Sequence, residues 1–230
     1  MLHSIDKKKI YLYFILMMLL LSIHNTNLKK TSESFFNIKE IKLNTKINEK
    51  IRQDIFNSLS EFQNTSIFSK NLQEIKNKLN NFNIIGEYKV QKKFPSSIDI
   101  EIKNTKILAY YYENNIKTYL GENGKKIIQD ISIKKNLPLI IGIVDTDKFL
   151  YLNKRIIANG FNLNDFPKIY FFKSNRWDLL YKNTLLIRLP MSDLDKSLSQ
   201  VRKIIEKSNL NNIKIIDLRL DKKIIFYEKN

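Results

Sequence analysis

Apolar and polar positions along the chain change their spacing several times, and each change marks an element. From Ile10 to Leu21 every residue is apolar, and Ser22 and Ile23 extend the run. Over Phe36–Leu43 apolar residues recur among lysines, as in Ile38-Lys39-Glu40-Ile41-Lys42-Leu43, which predicts a strand with a solvated face. Ile47, Ile51, Ile55, Leu59 and Phe62 then recur at three and four residues, one buried helical stripe. Leu72, Ile75, Leu79 and Phe82 form a second stripe, with Asn71 and Glu74 at its start. Residues 84–94 read as extended and are broken by Pro95-Ser96-Ser97. In the next strand Ile98, Ile100 and Ile102 alternate with Asp99, Glu101 and Lys103. A βααββ unit results, with two helices packed on one face of a small three-stranded sheet.

The second half is richer in strands. Ala109–Tyr112 and Ile116–Leu120 flank Asn114-Asn115, a hairpin turn signal, and Gly121-Glu122-Asn123-Gly124 is a further turn. A helix is expected over about Lys148–Ala158, ended by Asn159-Gly160. Strands are expected over Lys168–Lys173, Arg176–Lys182 and Thr184–Leu189, the last closed by Pro190. Ser192 with Asp195 reads as a capping box for a helix bearing Leu194, Leu198, Val201 and Ile205 on one stripe. Two final strands, Ile213–Leu220 and Lys223–Tyr227, end the chain. The fold class predicted is α+β, with a largely antiparallel sheet in the second half.

The N-terminal run Ile10-Tyr11-Leu12-Tyr13-Phe14-Ile15-Leu16-Met17-Met18-Leu19-Leu20-Leu21-Ser22-Ile23 follows Lys7, Lys8 and Lys9. As a helix it spans about 21 Å against a hydrocarbon core of roughly 30 Å. A cleaved signal peptide and an uncleaved anchor compete for this pattern. His24-Asn25-Thr26-Asn27-Leu28-Lys29-Lys30 contains no A-x-A-like pair of small residues, which favours the anchor. Snorkelling lysines and local thinning of the bilayer supply the missing length. The lysines before the segment put the N-terminus in the cytoplasm and the bulk of the chain outside it.

Composition narrows the chemistry. Of 230 residues 43% are apolar, enough for packed cores, and cysteine is absent, so no disulfide, thiolate site or Cys nucleophile exists. The net charge of +17 comes from lysines spread along the chain rather than clustered, so it reads as solvated surface and not as a nucleic-acid footprint. His3 and His24 flank the apolar run and cannot pair in a buried site. Gly121-Glu122-Asn123-Gly124-Lys125-Lys126 lacks the G-x-x-x-x-G-K-[ST] spacing that surrounds phosphates and reads as a turn. Asp145 and Asp147 precede a helix and read as turn and N-cap residues, and Trp177 on its strand reads as core. No catalytic, metal or cofactor site is expected.

Four stretches carry a resemblance. Val90-Gln91-Lys92-Lys93-Phe94-Pro95-Ser96-Ser97-Ile98-Asp99-Ile100-Glu101-Ile102 resembles the end of the POTRA domain of the bacterial FtsQ (DivIB) cell-division family. Leu137-Pro138-Leu139-Ile140-Ile141-Gly142 is similar to a Leu-Pro-Leu-x-x-Gly stretch of that family's β domain. Arg176-Trp177-Asp178-Leu179, followed by Leu189-Pro190, resembles its Trp-centred strand. Ile216-Asp217-Leu218-Arg219-Leu220 resembles its closing Val-Asp-Leu-Arg stretch. Leu43-Asn44-Thr45 stands where members often have glycine, and Asn104–Ala109 keeps only Ala109 of a usual Glu-x-x-Pro-x-Ala. The resemblance covers about residues 10–228.

The resemblance implies a cytoplasmic tail at 1–9, a transmembrane signal anchor at 10–26, a POTRA domain at 34–104 and a β domain at 105–230. It implies a type II single-pass protein of the cell inner membrane, periplasmic in bulk and enriched at the septum. The function implied is a non-catalytic scaffold binding FtsB- and FtsL-like proteins and, through them, the septal peptidoglycan synthase. In the family the last edge strand of the β domain pairs with an extended FtsB segment by β-augmentation. Carried onto this chain, that strand is Lys222-Lys223-Ile224-Ile225-Phe226-Tyr227, preceded by Leu220. Ile224 and Phe226 share one face and Ile225 and Tyr227 the other. Two other readings stand beside it: an anchored basic module binding anionic glycan or lipid, and a POTRA receptor of a secretion system.

Overall fold

The computed structural model describes residues 7–22, 35–68, 72–128, 136–208, 210–220 and 223–228. His3, Ile23, His24, Asn71 and Lys222 lie outside them. Helix α1 (Lys7–Ser22) holds the apolar run. Its side chains from Ile10 to Leu21 are each 51–70% exposed, so no side of the helix is covered. Sixteen residues make a rod of about 24 Å. No helix among the described residues is long and apolar enough to cross a membrane.

The described residues fall into two compact units, one drawn from 1–82 and 88–103, the other from 83–87 and 104–230. In the first, strand β1 (Glu40–Thr45) is followed by helix α2 (Glu49–Leu59), a 3-10 turn at Ser60–Phe62, and helix α3 (Leu72–Asn80). Strands β2 (Ile85–Lys93) and β3 (Ser97–Asn104) complete a sheet of order β1-β3-β2. Asn48 caps α2 through an Oδ1 that accepts from the Lys50 N–H at 2.8 Å. β1 runs parallel to β3, setting Ile41 beside Ile98 and Leu43 beside Ile100. Ile98, Ile100 and Ile102 are buried, as are Ile51, Ile55 and Leu59 on α2 and Ile75 and Leu79 on α3.

The first strand begins at Glu40 rather than Phe36. The residues before it bond outside the sheet: Ile38 N–H donates to Thr65 O, Ile67 N–H to Phe36 O, and Lys39 N–H to Ser96 O, all within 2.8–2.9 Å. Their backbone groups are already satisfied there, so no ladder extends through them.

The second unit is built on a nine-stranded sheet. Its strands are β4 (Ile107–Glu113), β5 (Ile116–Gly121), β6 (Lys126–Ile127), β7 (Leu139–Gly142), β8 (Lys168–Phe171), β9 (Trp177–Tyr181), β10 (Leu185–Arg188), β11 (Ile213–Asp217) and β12 (Ile225–Glu228). They lie in the order β12-β11-β10-β9-β8-β7-β4-β5-β6. The pairs β4–β7, β7–β8 and β10–β11 are parallel and the other neighbours antiparallel. Asn114 and Asn115 take φ of 50° and 64°, the two left-handed positions of a tight hairpin turn between β4 and β5. Helices α4 (Thr146–Ala158) and α5 (Leu194–Lys207) contribute Phe149, Leu152, Ile156, Leu198 and Val201 to one core with Ile169, Leu179 and Ile187. Residues 83–87 belong here because Thr105 N–H donates to Ile84 O, and the Asn123 amide donates to Asn83 O and Ile85 O.

Gly142 shows why the Leu-Pro-Leu-x-x-Gly stretch ends as it does. Its φ is +120°, and a Cβ there would stand 2.0 Å from Phe171 O. Asp145 caps α4, its Oδ1 accepting from Lys148 N–H at 3.1 Å. The expected capping box at Ser192 and Asp195 is absent. Asp193 occupies the cap position at φ +56° with no side-chain cap bond. Asp195 is held by Arg155 at 2.9 Å and by the Asn159 amide at 3.1 Å, so the carboxylate the box needs is engaged by the α4 side. The final strands are shorter than expected. β11 stops at Asp217, and Lys223 N–H donates to Leu220 O.

Candidate functional site

Strand β12 ends the sheet. It pairs with β11 on one side, Ile215 facing Tyr227, Ile216 facing Phe226 and Asp217 facing Ile225, with a bulge between Ile213 and Ile215. Among the described residues no strand lies beyond it, so one row of its backbone N–H and C=O groups is unpaired in the sheet. The pleat splits its side chains. Ile224, just before the strand, packs against the core cluster and lines a cleft with Ser197 and Gln200 of α5. Ile225 and Tyr227 turn to the opposite face, onto a groove of about 450 Å³. Leu220, Met191, Pro190 and Ser174 also line that groove, with Arg176, Arg219 and the Asp217 carboxylate. Leu220, Phe226 and Tyr227 are exposed apolar side chains at the sheet's end.

Under this groove lies a charged network that the strand order assembles. Asp178 on β9 is 5% exposed and pairs with Arg176 at 3.3 Å and Arg188 at 3.8 Å. Asp217 on β11 is 3% exposed and accepts from Arg219 Nε at 2.8 Å, from Arg219 N–H at 3.1 Å and from Arg188 at 3.5 Å. β10 lies between β9 and β11, in register with Asp178 on one side and Asp217 on the other, so Arg188 serves both carboxylates. The same guanidinium stands 5.9 Å from the Tyr227 ring centre, tying the network to the edge strand.

The two carboxylates titrate in opposite directions. Burial raises the Asp178 carboxyl above its ordinary value, and the charges of Arg176 and Arg188 offset only part of that. Burial acts the same way on Asp217, but hydrogen bonds from the Arg219 side chain and backbone outweigh it and hold the carboxyl below its ordinary value. Arg219 is raised in turn, chiefly by its hydrogen bond to Asp217.

Of the predicted edge residues, Ile225, Phe226 and Tyr227 are in β12, and Lys223 and Ile224 precede it. Leu220 joins Ile225 and Tyr227 on one groove. Arg188 was not singled out in the sequence. It comes from a strand almost forty residues upstream of Tyr227, and the signal available was its place directly before Leu189-Pro190. Gly121–Gly124 forms a turn, with Asn123 N–H donating to Thr105 Oγ1. No cluster of three His, Cys, Asp or Glu suited to a metal occurs among the described residues.

Comparison with known proteins converges on one family. The model of the POTRA domain, FtsQ-type, matches residues 36–104. The chain is 27% identical over 184 residues to the cell division protein FtsQ of Rickettsia bellii, covering 76% of this chain and 66% of that one. It is 26% identical over 146 residues to FtsQ of Bradyrhizobium diazoefficiens, covering 61% and 42%. The chain thus spans less than two thirds of the length of these relatives. The major extracytoplasmic domain of the cell division protein DivIB from Geobacillus stearothermophilus shares 15% identity with 46% of this chain, and 99% of that chain is covered, at a TM-score of 0.33, too low to bear on the fold. Both curated relatives are cell division proteins FtsQ, of the kind that the four sequence stretches resemble, and the matched domain lies over the strands and helices β1 to β3; the chain carries a POTRA domain of FtsQ type and is similar to FtsQ over most of its length.

Proposed function

We propose that this protein is a membrane-anchored, non-catalytic scaffold of the division complex, and that β12 binds an extended segment of an FtsB-like partner. The observation that carries the reading is the unpaired outer edge of β12 beside a groove that is apolar at Leu220 and Tyr227 and cationic at Arg176 and Arg219. Main-chain hydrogen bonds to the edge supply affinity, and alternate side chains of the added strand enter the groove and supply selectivity. The guanidiniums favour an acidic residue beside an apolar one in the bound segment. The partner set is FtsB- and FtsL-like proteins, with the septal peptidoglycan synthase reached through them.

Anchoring is the second part of the proposal. Twelve consecutive apolar side chains of α1 are uncovered on every side, which is unfavourable in water and favourable in lipid. We assign residues 10–26 to the anchor, with the tail at 1–9 in the cytoplasm and both units in the periplasm at the septum. The tested variant is Leu220→Asp with Tyr227→Asp in the full chain, assayed for capture of the FtsB- and FtsL-like proteins of the same cell. Both side chains are exposed, so the melting temperature should hardly move while capture falls about tenfold or more. Unchanged capture by a folded double variant would place the interface elsewhere.

A further inference from the structure

A line of four phenylalanines runs across the first unit. Phe35 meets Phe36 edge-on at 5.3 Å between ring centres, Phe36 meets Phe68 at 5.0 Å, and Phe68 meets Phe94 at 5.3 Å. Phe35, Phe68 and Phe94 are 54%, 62% and 60% exposed. The hydrogen bonds that displace β1 build this line. Ile67 N–H donates to Phe36 O and Lys39 N–H to Ser96 O, which brings the chain before Glu40 between the loop bearing Phe68 and the turn bearing Phe94. Aromatic rings held in contact but left open to water are costly unless something else covers them.

Charge and chain length say what does. Lys93 precedes Phe94 and Lys39 lies beside its turn; both are exposed, Lys92 is half-buried, and none of the three has an ion pair among the described residues. Glu40, the nearest carboxylate in sequence, is engaged by Lys42 at 3.4 Å. Only twelve residues separate Ser22 of α1 from Phe35, a tether whose full extension is roughly 45 Å. Phe35 is therefore the first described residue that the chain reaches after the uncovered apolar helix.

We propose that Phe35, Phe36, Phe68 and Phe94, with Lys39 and Lys93, form a docking face for the headgroup region of an anionic phospholipid bilayer. The inference rests on the reading of α1 as a membrane anchor. Aromatic rings are favoured at the boundary between headgroups and chains, and lysines beside them are attracted by anionic lipid. Tethering keeps this face at high effective concentration over the bilayer, so modest intrinsic affinity suffices. Docking would hold the first unit against the membrane.

The experiment uses the full chain reconstituted in vesicles of phosphatidylglycerol and phosphatidylcholine, with and without bromine on the phosphatidylcholine chains. Leu16→Trp, Phe68→Trp and Phe94→Trp are made singly, and the wild-type signal from Trp177 is subtracted. Bromine should cut the emission of all three introduced tryptophans, by about twofold for the two ladder positions. Adding Lys39→Glu and Lys93→Glu to Phe68→Trp should restore most of its emission. Quenching at Leu16→Trp with none at Phe68→Trp or Phe94→Trp would overturn the docking face and leave the anchor standing. No quenching at Leu16→Trp would overturn the anchor, and the docking face with it. Quenching indifferent to the lysine changes would remove the lysines from the face.

Discussion

Asp217 and Asp178 are both buried among arginines, yet they respond to pH in opposite ways. Asp217 is held below its ordinary value by the Arg219 hydrogen bonds despite burial. The folded chain therefore releases its proton more readily than the unfolded one. Stability from this group is present at neutral pH and is lost as pH falls through the acid range, below the ordinary carboxylate value. Asp178 is raised by burial, so its ionised form is the costly one, and its contribution falls as pH rises between the unfolded and folded values. Asp217→Asn should then cost about 1–3 kcal/mol at about pH 7 and much less at about pH 3. Asp178→Asn should cost less than Asp217→Asn at neutral pH. Denaturant titrations of both variants at the two pH values check the pair; equal losses for both at neutral pH would contradict it.

At the scale of elements, what local pattern decides was legible. The alternation of Ile98, Ile100 and Ile102 marked β3, and Asn114-Asn115 marked the hairpin, because side-chain period and turn conformation are properties of neighbours in sequence. The start of β1 was not legible, since Thr65 and Ser96 fix it from residues far along the chain. The Ser192–Asp195 box failed for the same reason, with Arg155 on another helix taking the carboxylate. The edge residues could be named in sequence, but the groove beside them is assembled from β9, β10 and the turns around Pro190 and Leu220, and only pairing brings those together. Helix α1 carries its own expectation. Carbonate-washed membranes should retain the full chain, and its N-terminal sequence should begin before Ile10; a mature form starting beyond Ile23 would refute the anchor.

Over the whole molecule, the net charge of +17 is carried by basic residues spread along the chain rather than gathered at β12. Some basic side chains are engaged with acids, as in Lys78 with Glu61 and Lys126 with Glu113. Under the proposed function, partner capture through β12 would rest on backbone hydrogen bonds and apolar contact, which salt screens weakly. Raising salt from about 50 to about 500 mM should weaken capture by no more than about threefold, the arginines of the groove supplying that part. A fall of about a thousandfold over the same range would mark counterion release from a polyanion instead.

The brevity of β12 sets how long such a complex lives. Four residues span about 13 Å, and half of their backbone groups turn toward β11. The remaining donors and acceptors contribute on the order of 1 kcal/mol each, in sum no more than the low end of the roughly 4–15 kcal/mol lost in immobilising a second chain. A single strand laid on this edge therefore leaves quickly unless other contacts of the same assembly hold it near. Residence time becomes a property of the crowd rather than of the pair. Such a junction would tighten as its neighbours gather and loosen when they disperse.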